Sequence, residues 1–148
     1  MNKAVEYEKF VQDVYQSIVD AQGYANITVQ HNVKLKGRSN QEHQIDIYWE
    51  FELAGVKNRV AIECKNYSTE VPIGKVRDFY GVLTDIGNIN GVMVSTVGFQ
   101  SGAKEFASHY GIDLIEVRVP KSEDWMGRIK SLVLLAKVVM PNIRKGGY

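Results

Sequence analysis

Two carboxylates and one ammonium group occur at a spacing that could support phosphodiester chemistry. Asp46 lies in the segment 43–53, and Glu63 and Lys65 lie in the segment 60–65, after a short turn that contains glycine. Apolar and polar residues alternate in both segments, which predicts two β-strands joined as a hairpin. Because side chains alternate between the faces of a strand, Glu63 and Lys65 share one face. The three charged groups are therefore expected to meet in one patch.

The hairpin also predicts a face and a register for Asp46. The apolar residues of the first strand are expected on one face, and they are Ile45, Ile47, Trp49, Phe51 and Leu53. Asp46 would then point to the other face. Pairing Leu53 with Asn58 or Arg59 would set the register, and the pairing with Asn58 carries Asp46 opposite Lys65.

Such a patch suits metal-assisted hydrolysis of a phosphodiester. Carboxylate oxygens are preferred ligands of hard divalent cations, and a bound cation polarises a phosphoryl oxygen and lowers the pKa of a bound water. A neighbouring lysine stabilises the negative charge that develops on the phosphoryl group. Charged residues on the polar face of a hairpin also commonly form a solvated surface with weak ion pairs. The spacing alone leaves both interpretations open.

The order of the segments resembles a known family of nucleases. An Asp on one strand, followed on the next by Glu-x-Lys, resembles the signature of the restriction-endonuclease-like fold. More narrowly, the chain is similar over about residues 3–117 to the Mrr-type restriction endonuclease catalytic domain of bacterial type IV systems. The matching segments are Tyr7-Glu8, residues 43–46, 62–65, 76–81, 91–95 and 98–103. Many Mrr-type domains carry Gln-x-Lys, whereas this chain has the acidic form, Glu63-x-Lys65.

The resemblance implies a magnesium-dependent endonuclease that acts on double-stranded DNA, with Mn²⁺ as an alternative ion. It implies that Asp46 and Glu63 bind the cation together with the backbone carbonyl of Cys64. Lys65 would orient or activate the attacking water, and Glu8 would hold a second metal ion or a metal-bound water. Cleavage of a duplex requires two sites, so a homodimer is expected.

Basic and polar residues near these segments are candidates for DNA contact. No acidic residue occurs between positions 20 and 42, and Lys34, Lys36 and Arg38 fall together in that interval. Such cations can contact phosphates. Gln44 precedes Asp46 by two residues and would share its face. The remaining candidates are Lys75 and Arg77, which lie off the apolar stripe of a predicted helix, and a solvated surface is the alternative for all of them.

Hydrophobic periodicity predicts an α/β domain with a mixed central β-sheet flanked by helices. The predicted order is α-β-β-β-α-β-α-β, with a β-α-β crossover that makes the last two strands parallel. Asn2 would cap the first helix and Gly23 would end it. The predicted helices cover residues 3–22, 72–87 and 99–110, and the predicted strands outside the hairpin cover residues 24–36, 91–95 and 112–117. Residues 132–140 fit a strand as well as a helix.

The chain as a whole is typical of a globular domain. Its 148 residues fit one domain, predicted to span residues 1–120, with an extension at 121–148 that packs on it or begins a further region. The net charge of +1 provides no overall field for a polyanion, so a DNA site must depend on a local patch. A single cysteine and the absence of a signal-like or membrane-spanning segment predict a soluble, cytoplasmic protein.

Three other functions fit the same residues. A branched-DNA or repair nuclease would use the same carboxylates and lysine on a DNA of different shape. A non-catalytic DNA-binding module could keep the fold without turnover. An intracellular α/β domain with no role in nucleic-acid chemistry is the third alternative.

Overall fold

The computed structural model describes residues 2–24 and 26–118, together with the backbone of residues 136–138. The helices are α1 (Lys3–Ala21), α2 (Ile73–Ile86) and α3 (Ser101–Tyr110). The strands are β1 (Gln30–Lys36), β2 (Glu42–Leu53), β3 (Val56–Lys65), β4 (Asn90–Ser95), β5 (Asp113–Val117) and β6 (Ala136–Val138). The predicted order of elements is confirmed, and β6 adds a strand. Within these residues, no helix is long and apolar enough to cross a membrane.

The strands form one mixed sheet in the order β1-β2-β3-β4-β5-β6. Strand β2 pairs antiparallel with both β1 and β3, the strands β3, β4 and β5 pair parallel, and β6 is antiparallel to β5. Parallel neighbours need a crossover connection, and the two connections here carry α2 and α3. The predicted fold class, a mixed sheet flanked by helices, is confirmed. From the predicted extension 121–148, only the three residues of β6 lie within the described part of the chain.

Two apolar clusters hold the helices against the sheet. Val11 and Val14 of α1 pack with Ile62 and other sheet residues in the α1 cluster. Val76 and Phe79 of α2 belong to a second cluster, the α2/α3 cluster, which also contains residues of α3. Apolar residues spaced three or four apart form one stripe on each helix, and burying that stripe is the main source of helix stability in a domain.

The first helix begins where the sequence predicts, but the strand after it begins later. The Asn2 side chain accepts a hydrogen bond from the Val5 N–H at 2.8 Å, which confirms the N-cap. The predicted start of this strand at residue 24 is wrong, because β1 begins only at Gln30, whereas its predicted end at Lys36 is confirmed. Before that point the backbone bonds to a side chain of α1 instead. The Gln16 amide accepts from the Val29 N–H at 2.9 Å and donates to the Ile27 carbonyl at 3.0 Å.

The hairpin is two residues out of the register considered above. Leu53 pairs with Val56 rather than with Asn58, so the turn contains only Ala54 and Gly55. Their φ angles of 53° and 80° lie in the left-handed region, which suits the tight two-residue turns of twisted hairpins. The tighter turn means that Asp46 does not lie opposite Lys65.

The side chains of β2 do not alternate regularly between the two faces of the sheet at Asp46. Ile45 belongs to the α2/α3 cluster and Ile47 belongs to the α1 cluster, so the prediction that they share a face is wrong. The neighbouring strand is irregular at the same level. Asn32 has a φ of 62°, and it does not pair with Asp46 although the residues on both sides do pair. Asp46 therefore sits at a local break in the ladder, where its side chain is not constrained to regular alternation.

Candidate active site

Asp46 lies where the two strands of the hairpin part. The ladder between β2 and β3 runs from the turn to the pair Ile47 and Ile62, and ends there. One residue further, the Asp46 side chain accepts a hydrogen bond from the Cys64 N–H through Oδ2, at 2.9 Å. The carboxylate thus takes the place of a backbone carbonyl. The break in β2 and the end of the ladder together direct this side chain toward β3.

Glu63 and Lys65 form an ion pair on β3 beside this point. Lys65 Nζ lies 3.0 Å from Glu63 Oε2, and both side chains are mostly buried, with exposed fractions of 19% and 26%. Their contact confirms the prediction that they share a face. Lys65 Nζ also lies 5.8 Å from the centre of the Tyr67 ring, within reach of a cation–π interaction. The ammonium is held by a carboxylate and an aromatic ring.

The electrostatics of Asp46 are unfavourable for its charged form. Burial is the largest cause and repulsion by Glu63 is the next, and together they raise the pKa of Asp46 from 3.8 to about 7. The hydrogen bond from the Cys64 N–H acts in the opposite direction and is weaker than burial. A positive charge placed near both carboxylates would stabilise the ionised form. Two buried carboxylates that repel each other are therefore a favourable environment for a bound cation.

The surroundings of Lys65, unlike those of Asp46, favour its charged form. Burial alone would lower its pKa, but the neighbouring Glu63 carboxylate, through its charge and its hydrogen bond, more than offsets this and raises the pKa above its ordinary value. Lys65 therefore keeps its proton at neutral pH. A permanently charged lysine can stabilise negative charge and orient a water, but it is poorly suited to accept a proton.

Glu8 of α1 lies near the same point of the sheet. Its Oε1 is 2.8 Å from His31 Nε2 on β1, and both side chains are largely buried. Its negative charge contributes, after burial and the repulsion by Glu63, to the raised pKa of Asp46. Glu8 is thus near enough to Asp46 for its charge to act on that carboxylate.

The donor set fits a hard divalent cation only with further oxygen ligands. In the part of the chain that the structure describes, no group of three or more His, Cys, Asp or Glu side chains could hold a metal ion alone. Asp46 and Glu63 supply carboxylate oxygens, and Mg²⁺ commonly completes such a shell with water, substrate phosphate and backbone carbonyls. Cys64 contributes no thiolate, because burial raises the pKa of its thiol well above the ordinary value. Only the backbone of Cys64 is a candidate ligand.

The candidate DNA-contact residues differ in their surroundings. Lys34, Lys36 and Gln44 are exposed, and Lys34 pairs across the sheet with Gln44. Lys75 and Arg77 are exposed on α2. These five remain available for phosphate contact.

Arg38 is engaged within the chain. Its guanidinium donates to the carbonyl of Thr84 and, at 3.4 Å, to that of Asp85, at the C-terminal end of α2. The carbonyls of a last helical turn lack partners within the helix, so Arg38 caps that end. Asp85 in turn accepts from Ser39 and lies 2.7 Å from His43 Nε2, which fixes the loop before β2. Arg38 therefore has a structural role that its sequence position did not indicate.

Asp46, Glu63 and Lys65 do not line the broad cleft at the other end of the hairpin. That cleft has a volume of about 940 Å³ and is lined by residues that include Tyr48 and Arg59.

Some residues around the site were not assigned by sequence reasoning. His31 is not among the predicted site residues, and the structure shows it bonded to Glu8. Tyr67 was not considered. Glu8 and His31 lie on different elements of the fold, so periodicity gave no signal for their pairing. An aromatic residue two positions after Lys65 was the one available signal for Tyr67.

Comparison with known proteins identifies relatives of the domain. A family model described as restriction endonuclease (Mrr_cat) matches residues 3–118, most of the chain. A search of curated proteins finds no significant match.

Solved structures share the fold at low sequence identity. A repair endonuclease from Pyrococcus abyssi is 15% identical with a TM-score of 0.57, over 81% of this chain and 49% of that one. AF1548, a protein of unknown function, is 22% identical with a TM-score of 0.57, over 72% of this chain and 56% of that one. The MspJI restriction endonuclease, in complex with a 27-mer oligonucleotide, is 16% identical with a TM-score of 0.50, over 78% of this chain and 26% of that one. This chain thus spans about half or less of these relatives.

Proposed function

This chain belongs to the restriction endonuclease family, and we propose that it is a metal-dependent endonuclease that hydrolyses phosphodiester bonds of double-stranded DNA. The proposed role is restriction of, or defence against, foreign DNA. The observation that carries the proposal is the cluster of Asp46, Glu63 and Lys65 at the point where β2 and β3 part. A solvated hairpin face would leave these side chains exposed and separate. Here Glu63 and Lys65 are mostly buried and form an ion pair, and Asp46 accepts a hydrogen bond from the Cys64 N–H between them in the chain.

The proposed cofactor is Mg²⁺, with Mn²⁺ as an alternative, held by Asp46, Glu63 and the backbone carbonyl of Cys64. When bound, such a cation polarises a phosphoryl oxygen and lowers the pKa of water. The fit is supported by the donor types and by the raised pKa of Asp46, since a cation would offset the repulsion between its carboxylate and Glu63. Glu8 adds a third negative charge at the edge of the cluster.

Lys65 has an electrostatic role in this proposal. Its ammonium, held by Glu63, would face the scissile phosphate, stabilise the charge that develops there and orient the attacking water. Its raised pKa argues against proton abstraction by Lys65. Exposed Lys34, Lys36, Gln44, Lys75 and Arg77 would contact the DNA backbone, and Arg38 would act through the loop it fixes.

Cleavage of both strands requires two such sites, so we also propose that the active form is a homodimer. Analytical ultracentrifugation of the protein, with and without a short duplex, measures whether its mass is that of one copy or two. A single copy that breaks both strands in one binding event would contradict this part of the proposal.

The test of the function is a cleavage assay on supercoiled plasmid, linear duplex and branched DNA. The wild-type protein is expected to nick plasmid and cut linear duplex with Mg²⁺ or Mn²⁺, and to lose activity with a chelator. Lys65→Ala is expected to abolish cleavage. Lys57→Ala is the matched control, because Lys57 is an exposed lysine of the same strand that contacts Glu50 at 3.6 Å. Cleavage of branched DNA alone would favour a repair nuclease, and equal rates for both variants would contradict the proposal.

A further inference from the structure

We propose that His31 is a positioning residue for the cation site, because it holds the Glu8 carboxylate and pairs with Ile47, the residue next to Asp46. The inference rests on the proposed metal-dependent function and assigns a role to a residue outside the Asp…Glu-x-Lys set. His31 need not touch the cation or the DNA, and it acts through its hydrogen bond to Glu8.

The contact between the two side chains is close and sheltered. His31 Nε2 lies 2.8 Å from Glu8 Oε1, and the exposed fractions of the two side chains are 18% and 19%. Among the described residues, His31 is the one hydrogen-bond partner shown for Glu8, so a single bond fixes the carboxylate through one oxygen. A buried carboxylate held in this way loses little further side-chain entropy when it interacts with a cation.

Backbone geometry explains why His31 can reach α1. Val29 belongs to the α1 cluster, and His31 follows on the same side, whereas Val33 packs against the α2/α3 cluster. In a regular strand these three residues would share a face. The left-handed conformation of Asn32, with a φ of 62°, changes the face between His31 and Val33. The same distortion lies beside Asp46, so one irregularity places both His31 and the Asp46 carboxylate.

Strand pairing and electrostatics both connect the His31–Glu8 hydrogen bond with the Asp46 site. His31 pairs across the ladder with Ile47, the residue that follows Asp46. The charge of Glu8 influences both Asp46 and Cys64. Side chains that orient a metal ligand in this manner usually change metal affinity when they are removed, without binding the metal themselves.

The chain contains a matched control for this contact. His43 Nε2 lies 2.7 Å from Asp85 Oδ2, with exposed fractions of 20% and 21%. This second histidine–carboxylate pair joins the start of β2 to the end of α2. Asp85 is not one of the proposed metal ligands. Removing His43 costs the protein a similar contact at a different place.

The test is calorimetric titration of the whole protein with Mn²⁺ alone, in the absence of DNA. His31→Ala is expected to weaken Mn²⁺ binding by about tenfold, the low end of the range for residues that orient metal ligands. His43→Ala is expected to bind as the wild type does. His31→Gln should retain affinity because its amide N–H can reach Glu8, and His31→Asn should lose it because its side chain is shorter.

A double-mutant cycle separates positioning from a general structural effect. In the Glu8→Gln background, His31→Ala is expected to cause no further loss of affinity, since the residue through which it acts has been neutralised. Fully additive losses, or equal affinities of His31→Ala and His43→Ala, would overturn the inference. Absence of Mn²⁺ binding by the wild-type protein would instead contradict the proposed function. The two failures are therefore distinguishable.

Discussion

The raised pKa of Asp46 predicts how the stability of the metal-free protein depends on pH. In the folded chain this pKa is about 7, against 3.8 for an ordinary aspartate. Between these values the folded state binds a proton that the unfolded state has released, so the free energy of unfolding falls as pH rises. The stability is fully present below about pH 4 and is lost as pH rises through 7. Lowering the pH from 7.5 to 5.0 should thus stabilise the protein by about 2.5 kcal/mol through this residue alone.

The variant Asp46→Asn isolates that contribution. Its amide oxygen can still accept from the Cys64 N–H, but it carries no charge and does not titrate. We expect the difference in unfolding free energy between pH 7.5 and pH 5.0 to be smaller in Asp46→Asn than in the wild type by about 2.5 kcal/mol. Urea denaturation followed by circular dichroism, in a chelating buffer, measures it.

The Asp85 carboxylate titrates below this window. Hydrogen bonds from His43 and Ser39 lower the pKa of Asp85 to about 2, so its contribution is lost only as pH falls below about 4. Glu50→Gln is the matched control, because Glu50 is an exposed carboxylate on the same strand. If the unfolding free energies of the wild type, Glu50→Gln and Asp46→Asn depended on pH in the same way between pH 5.0 and 7.5, the raised pKa of Asp46 would be refuted.

Three further predictions concern the framework that positions the site. A Cβ at Gly91 would lie 2.3 Å from a methyl carbon of Leu83, so Gly91→Ala should destabilise the protein by about 1–3 kcal/mol in urea denaturation. Gly81→Ala, in the same helix as Leu83 and with open space at its Cβ, should stabilise it by about 0.5–1 kcal/mol, and the opposite order would contradict the packing. Asn32→Val should cost about 1–2 kcal/mol, because a β-branched residue is disfavoured in the left-handed region, whereas Asn32→Gly should have a small effect. Gln16→Ala should lower the melting temperature and increase amide exchange at the start of β1, and unchanged exchange there would show that its hydrogen bonds are dispensable.

Local patterns in the sequence predicted most of the fold. The apolar spacing in residues 3–22 gave α1 to within one residue, and the capping residue Asn2 is the one observed. Pro72 and Gly87 marked the limits of α2 correctly. These signals are local, because helix periodicity and caps depend on residues within one or two turns.

The errors occurred where distant residues determine the local structure. The strand before Gln30 is replaced by hydrogen bonds to Gln16, which lies on another element. The register error arose at Ala54, a residue type that does not signal the left-handed conformation required by the two-residue turn. The face change at Asp46 coincides with the left-handed Asn32 on the neighbouring strand. None of these pairings leaves a period in the sequence.

The candidate site was accessible from sequence only in part. The spacing of Glu63 and Lys65 correctly predicted a shared face, and their ion pair follows from it. The placement of Asp46 was predicted by a register that proved wrong, yet the carboxylate still reaches β3 through the Cys64 N–H. The types and order of the residues were enough to predict the chemistry, whereas the distances between their side chains could be obtained only from the tertiary structure.

The most direct test of the account is plasmid nicking by Asp46→Asn and Glu50→Gln, measured with Mg²⁺ at equal protein concentration. Both changes remove one negative charge from β2 and keep nearly the same shape. The account predicts that Glu50→Gln nicks at the wild-type rate and that Asp46→Asn does not nick above the rate of a chelated sample. Nicking by Asp46→Asn at the wild-type rate would contradict the central claim that this carboxylate belongs to the catalytic site.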